Sequence, residues 1–136
     1  MTQEQKELLL KDVCSRLPYG VKCEVIKYRI DGEMLYIRNG SGALELTINN
    51  VKELVTDNLY EIKPYLFPLS SMTEEQRKEY DNIIYHSVEL HCERYYDVID
   101  VDYCDELQDF YHKNHFDYRG LIPMDLAIDA TGLNIY

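Results

Sequence analysis

The chain has 136 residues, 46% of them hydrophobic and 29% charged, and a net charge of −11. A domain of this length buries roughly two thirds of the surface its unfolded chain exposes, so it needs no disulfide or metal to fold, and the composition excludes a disordered or fibrous chain. The charge is lopsided: residues 1–69 carry nine Lys/Arg against ten Asp/Glu, and residues 70–136 carry five against fifteen.

Thr2 and Gln5 have the spacing of a capping box, and Leu9, Leu10, Val13, Cys14 and Leu17 then recur at helical spacing. This predicts an amphipathic helix from about Gln3 to Leu17, stopped by Pro18-Tyr19-Gly20. Val21, Cys23 and Val25 alternate with charges as in a half-buried strand. The apolar phase then slips to Ile26, Tyr28 and Ile30, which predicts a β-bulge or a bend. Asp31-Gly32 is a hairpin turn signal, with a second strand over Glu33–Arg38. Asn39-Gly40-Ser41-Gly42 is another turn, followed by a third strand over Ala43–Ile48. Val51–Val55 and Leu59–Ile62 read as two further short strands.

The prolines in Lys63–Leu69 lack an amide hydrogen and hold their predecessors extended. That stretch is expected to be an apolar strap across the core, and neither a central strand nor a helix. Ser71 with Glu74, or Thr73 with Gln76, opens a second helix. Its Tyr80, Ile84, Val88, His91 and Tyr95 share one face as far as about Tyr96. Asp97–Val101 breaks it. Asp102 caps a third helix, Tyr103–Lys113, with inner residues Leu107, Phe110 and Tyr111, and Asn114 ends it. Met124–Ala130 is a last short strand.

The expected fold is one α+β domain over residues 1–136. An N-terminal helix packs on a small bent antiparallel sheet, curved toward a partial barrel. An acidic helical part, residues 70–136, supplies two covering helices and a short extended tail.

Candidate chemistry is sparse. His112-Lys113-Asn114-His115, with Asp117 beyond, is a weak metal set, because no zinc-type ligand spacing links it. The carboxylates Asp97, Asp100, Asp102, Asp105, Glu106 and Asp109 lack the glycine a calcium loop requires. Ser70 and Ser71 stand in no nucleophile elbow, His91 and Cys92 point to different helical faces, and no glycine-rich phosphate loop occurs. The four cysteines (Cys14, Cys23, Cys92 and Cys104) form no C-x-x-C pair and read as reduced thiols. No apolar run approaches the roughly 20 residues that span a bilayer, and polar Met1–Glu7 does not read as a secretory leader, so the expected location is the cytoplasm. No catalytic residue and no cofactor are expected.

Thirteen tyrosines, against three phenylalanines and no tryptophan, are the unusual feature. Most suit core filling. The remainder supply interaction candidates, because tyrosine joins apolar area to one hydroxyl and is enriched at interfaces. Those candidates are Tyr85, Tyr95, Tyr96, Tyr103 and Tyr118, with Arg119. In His115–Ile122, apolar Phe116, Tyr118, Leu121 and Ile122 alternate with Asp117 and Arg119 before Gly120. The expectation is a turn that locks the tail onto the sheet, with Asp117 and Arg119 pairing or binding nearby backbone groups.

Three stretches, Arg16–Val21 (RLPYGV), Ile62–Thr73 (IKPYLFPLSSMT) and His115–Ile122 (HFDYRGLI), resemble a family of small uncharacterised proteins of gut Bacteroidales, their prophages and crAss-like phages. Members often carry two consecutive histidines before Phe-Asp-Tyr-Arg-Gly-Leu, where this chain has Asn114 first. The resemblance implies a phage or mobile-element setting in a bacterial cytoplasm and no mechanism. The leading expectation is a non-catalytic protein-binding or accessory module with a protein partner, basic if it meets the acidic half. Direct nucleic-acid binding and membrane binding are not expected, and a homo-oligomer is left open. The alternatives are a metal-dependent hydrolase using His112, His115 and Asp117, and an acidic DNA mimic.

Overall fold

The structure, a computed structural model, describes residues 1–28, 31, 34–38, 46–92 and 105–136. Helix α1 spans Gln3–Arg16. Its capping box is complete: the Thr2 hydroxyl accepts from the Gln5 amide at 3.1 Å, and the Gln5 side chain accepts from the Thr2 amide at 2.9 Å. A 3-10 turn, Leu17–Tyr19, ends it, with Gly20 at φ 72° supplying the left-handed step.

Strands β1 (Cys23–Tyr28) and β2 (Met34–Arg38) form the expected antiparallel hairpin, and β3 (Tyr60–Leu66) lies antiparallel on the other side of β1. The register runs unbroken from Glu24↔Arg38 to Tyr28↔Met34 and from Cys23↔Pro64 to Lys27↔Tyr60. The expected bulge at Val25–Ile26 is therefore absent. The apolar phase shift has a different cause. β1 is a central strand with both faces partly covered, so Cys23 and Val25 enter the core while Ile26 and Tyr28 sit half-buried on the opposite face. The sheet is open, with β2 and the short β4 (Ile128–Asp129) as its outer strands, so it does not close into a barrel.

Further sequence expectations are corrected. Val51–Val55 is not a strand but part of helix α2, Ile48–Thr56. The Thr47 hydroxyl caps it by accepting from the Asn50 amide, and Val51 and Val55, four residues apart, bury one face. Their β-branching is tolerated because packing outweighs intrinsic propensity. Ile48 belongs to α2, and residues 43–45 of the expected third strand lie outside the described residues. The strap over Lys63–Leu69 is also corrected, because its first four residues continue β3 through Pro64. In the β1–β3 ladder Tyr65 donates to the Lys22 carbonyl and Tyr28 to that of Leu59. Antiparallel pairs alternate, so Pro64, between two such positions, turns its nitrogen away from β1 and breaks no bond. Parallel pairing with β4 begins one residue later, at Tyr65↔Ile128.

Helix α3 (Glu74–Cys92) is opened by the Thr73–Gln76 capping box; Ser71 donates instead to the Pro68 carbonyl. Helix α4 spans Asp105–Lys113. Of the tail strand expected over Met124–Ala130, only Ile128 and Asp129 are extended, with turns before them. The expected cap at Asp102 and the break at Asp97–Val101 lie outside the described residues.

The core has two parts. Leu9, Val13, Cys23, Val25, Val51, Ile62, Leu66 and Leu121 join α1, α2 and the sheet, while Leu107, Phe110, Tyr111 and Phe116 join α4 to Tyr80, Ile83 and Ile84 of α3. The segment after α4 ties them together. Phe116 bridges to Phe67 just beyond β3, whose amide and carbonyl bond to His115 and Asp117.

Candidate functional site

The inner face of α1 carries two charges among its apolar residues. Asp12 and Arg16, one turn apart, are fully buried and form a two-point ion pair, Arg16 Nε and Nη2 reaching the carboxylate at 2.8 and 3.1 Å. Nη2 also donates to the Phe116 carbonyl at 2.7 Å, which fastens the segment after α4 to α1. Arg119 arrives from that segment, with Nε 3.1 Å from the same Asp12 carboxylate but off the hydrogen-bonding direction. Two guanidinium groups thus share one buried carboxylate.

Arg119 Nη2 donates to the Tyr118 hydroxyl at 2.7 Å, and that hydroxyl lies 2.9 Å from His112 Nε2. Tyr118 accepts from Arg119, and its oxygen can either take a second hydrogen bond from Nε2 or give its own hydrogen to it, so the contact fits either neutral tautomer of His112. Burial first, then Arg16, pushes the His112 pKa below the usual histidine value. Tyr118 stacks on Tyr111 at 4.7 Å, so the relay runs along the seam between α1 and α4.

His115 stands apart from this relay. Its backbone is left-handed, φ 59°, and its ring stacks on Tyr136 at 3.6 Å with 12° between planes. Burial lowers its pKa to about 4. Asp117 accepts from the Leu121 and Ile122 amides, both at 2.8 Å. The expected lock at His115–Ile122 is therefore present. Its carboxylate binds backbone as foreseen, whereas Arg119 pairs with Asp12 and Tyr118 and not with Asp117. His112, His115 and Asp117 each face a different neighbour, and among the described residues no three His, Cys, Asp or Glu side chains gather to hold a metal ion.

Of the interaction candidates, Tyr85 is 65% exposed on α3. Tyr118 and Arg119 are half-buried and belong to the internal relay. Tyr95, Tyr96 and Tyr103, with the acidic run Asp97–Asp102, lie outside the described residues. The exposed residues of α3 before Tyr85 include Glu74, Glu75 and Asp81 beside Arg77 and Lys78, with Asp81 one turn from Tyr85 and Glu79 paired to Lys113. A separate cleft of about 400 Å³ opens where the start of α1 meets the α2–β3 turn, lined by Lys6, Tyr28, Asp57, Tyr60, Glu61 and Asp125 among others. Much of its polar lining is already engaged: Lys63 bridges Glu61 and Asp125, Tyr28 donates to Glu61, and Lys6 to Asn58.

Sequence reasoning missed the Asp12–Arg16 pair. The signal was present, since both fall in the phase of Leu9 and Val13 and four residues apart. It also missed Tyr136, for which sequence spacing offered no signal. No protein-family model, curated protein or solved structure matches the chain. Among the described residues no helix is long and apolar enough to cross a membrane.

Buried His112 and half-buried His115 set an acid response. In the unfolded chain they bind protons near pH 6.5, whereas the fold holds both pKa values lower, His115 at about 4. Between those limits the unfolded state binds more protons, so stability is complete above about pH 6.5 and declines as pH falls toward 4. Thermal unfolding midpoints from pH 7.5 to 4.5 should drop accordingly. His115→Asn, which suits the left-handed backbone, should shallow that slope. An unchanged slope would mean that His115 titrates normally in the fold.

Proposed function

We propose that the protein is a non-catalytic protein-binding accessory module, of phage or mobile-element origin, working in a bacterial cytoplasm. The observation that carries this reading is Tyr85, 65% exposed on a helix with Asp81 one turn away and more exposed acidic than basic residues. An exposed aromatic ring of low rotamer entropy beside charge is the composition of an interface anchor, and the surrounding carboxylates select a basic partner surface. The internal employment of His112, His115 and Asp117 supports the same reading, because each is already committed to a protein group.

Affinity capture from a Bacteroidales lysate, run with wild type and with Tyr85→Ala, tests it. Wild type should retain a partner that is lost at raised salt, and Tyr85→Ala should reduce recovery at least about tenfold, the loss expected for an anchor worth over 1.4 kcal/mol. The thermal midpoint should hardly move. Stoichiometric metal in the purified protein together with no retained partner would instead favour the hydrolase reading.

A further inference from the structure

The end of the chain makes a contact built like a bound ligand. The Tyr136 hydroxyl accepts from the Lys22 amide at 2.9 Å and donates to the Tyr65 carbonyl at 2.8 Å. Lys22 and Tyr65 are themselves paired, so the hydroxyl sits in a bracket of two strand backbones at the end of the β1–β3 ladder. The ring lies flat on His115, with Phe67 tilted beside it at 6.0 Å and Lys22 Nζ 5.8 Å from its centre. Lys22 Nζ also donates to the Ile135 carbonyl at 2.7 Å. Each part of a residue–tyrosine pair is thus met by its own group.

We propose that this slot is a recognition site for a tyrosine side chain in a peptide, that Tyr136 fills it as an internal stand-in, and that a tyrosine of a partner protein enters when Tyr136 leaves. The slot reads the hydroxyl. A phenylalanine would leave the Lys22 amide and one Tyr65 carbonyl position unmatched, and sites that hydrogen-bond a hydroxyl strongly reject the analogue lacking it. The side wall is rigid, since His115 is held at positive φ by the bonds of the Phe67–His115–Asp117 bridge. The stand-in, by contrast, is lightly tied. Thr131–Asn134 are exposed, Leu133 to 49%, and past Ala130 the tail is held to the sheet through Ile135 and Tyr136. A segment so placed exchanges with an equivalent one at little structural cost. The inference deepens the protein-binding reading by naming a residue type in the partner, and rests on that reading only for the ligand being a protein.

The test is a titration of full-length Tyr136→Ala with N-acetyl-tyrosinamide, followed by NMR at the His115 ring and the Lys22 amide. Saturable binding is expected, with an upfield shift of the stacked His115 ring protons. Wild type should bind at least about tenfold more weakly because its slot is filled, and N-acetyl-phenylalaninamide should bind Tyr136→Ala at least about tenfold more weakly than the tyrosine amide. A folded Tyr136→Ala protein that shows no saturable binding, or that binds the two amides equally, overturns the proposal. Should that variant not fold, Tyr136→Phe replaces it. It keeps the ring but not the hydroxyl, so the tyrosine amide should bind it more tightly than it binds wild type, and equal affinity overturns the proposal. The titration needs no partner, so its failure removes the slot while partner capture through Tyr85 is judged on its own.

Discussion

Replacing Asp12 with alanine is expected to lower the unfolding free energy by about 3–5 kcal/mol, as for other buried pairs stripped of one member. Small domains have only about 5–15 kcal/mol in total, so the variant should be partly unfolded at 37 °C or denature at much lower urea concentration. The cause is charge, not volume. Asp12 is the carboxylate shared by Arg16 and Arg119, and Arg16 has no exposed surface through which to regain water. The damage should therefore shrink when the stranded cation is removed too. Asp12→Leu with Arg16→Met should be more stable than Asp12→Ala alone, since an apolar pair of similar size avoids the desolvation penalty. Arg119→Ala should cost less, about 1–3 kcal/mol, because its side chain retains 17% exposure. A double variant no better than Asp12→Ala would show that the site is governed by shape and not by charge.

Phe116→Ala should be comparably severe, about 3–5 kcal/mol, the usual range for deleting a buried phenylalanine ring. Phe116 is 1% exposed and lies 5.7 Å from the Phe110 ring. Its backbone donates to Tyr111 and accepts from Arg16, so the ring sits where α1, α4 and the end of β3 converge. The loss should reach beyond its own contacts. Amide exchange should accelerate in α4 and the inner turn of α3 more than in the β1–β2 hairpin, because the hairpin packs in the other part of the core. Urea denaturation gives the magnitude and residue-resolved exchange gives the pattern. Uniform acceleration across all elements would show that the two parts of the core open as one.

The α+β class, α1 with its capping box, the β1–β2 hairpin, the α3 start and the inner face of α4 were legible because local chemistry decides them: a side chain caps its own turn, or an apolar face repeats at a fixed period. What was illegible was set by neighbours distant in the chain. Val51 and Val55 are β-branched, and packing on α1 makes their segment a helix. Pro64 argues against a strand until its nitrogen is known to face the side where β4 has not begun. Ile26 and Tyr28 suggest a bulge until β3 is placed beside β1. At the candidate site, Asp117 as a backbone anchor was readable from the polar–apolar alternation around Gly120. The pairing of Arg119 with Asp12 was not, because Asp12 lies over a hundred residues earlier.

Pro64 has one more effect, on what the molecule refuses. Between Tyr60 and Pro64 the outer rim of β3 carries no ladder partner among the described residues, since β4 pairs only with Tyr65 and Leu66. Such a rim ordinarily templates a foreign strand, with amide donors repeating at every second residue. Here the row is broken at both ends: the Tyr60 amide already donates to the Asp57 carbonyl, and Pro64, which is buried, has no amide hydrogen to give. A β-strand from another copy would find no run of donors there on which to set its register. The same proline that β3 tolerates on one side thus makes the other side a poor seed for sheet-by-sheet aggregation.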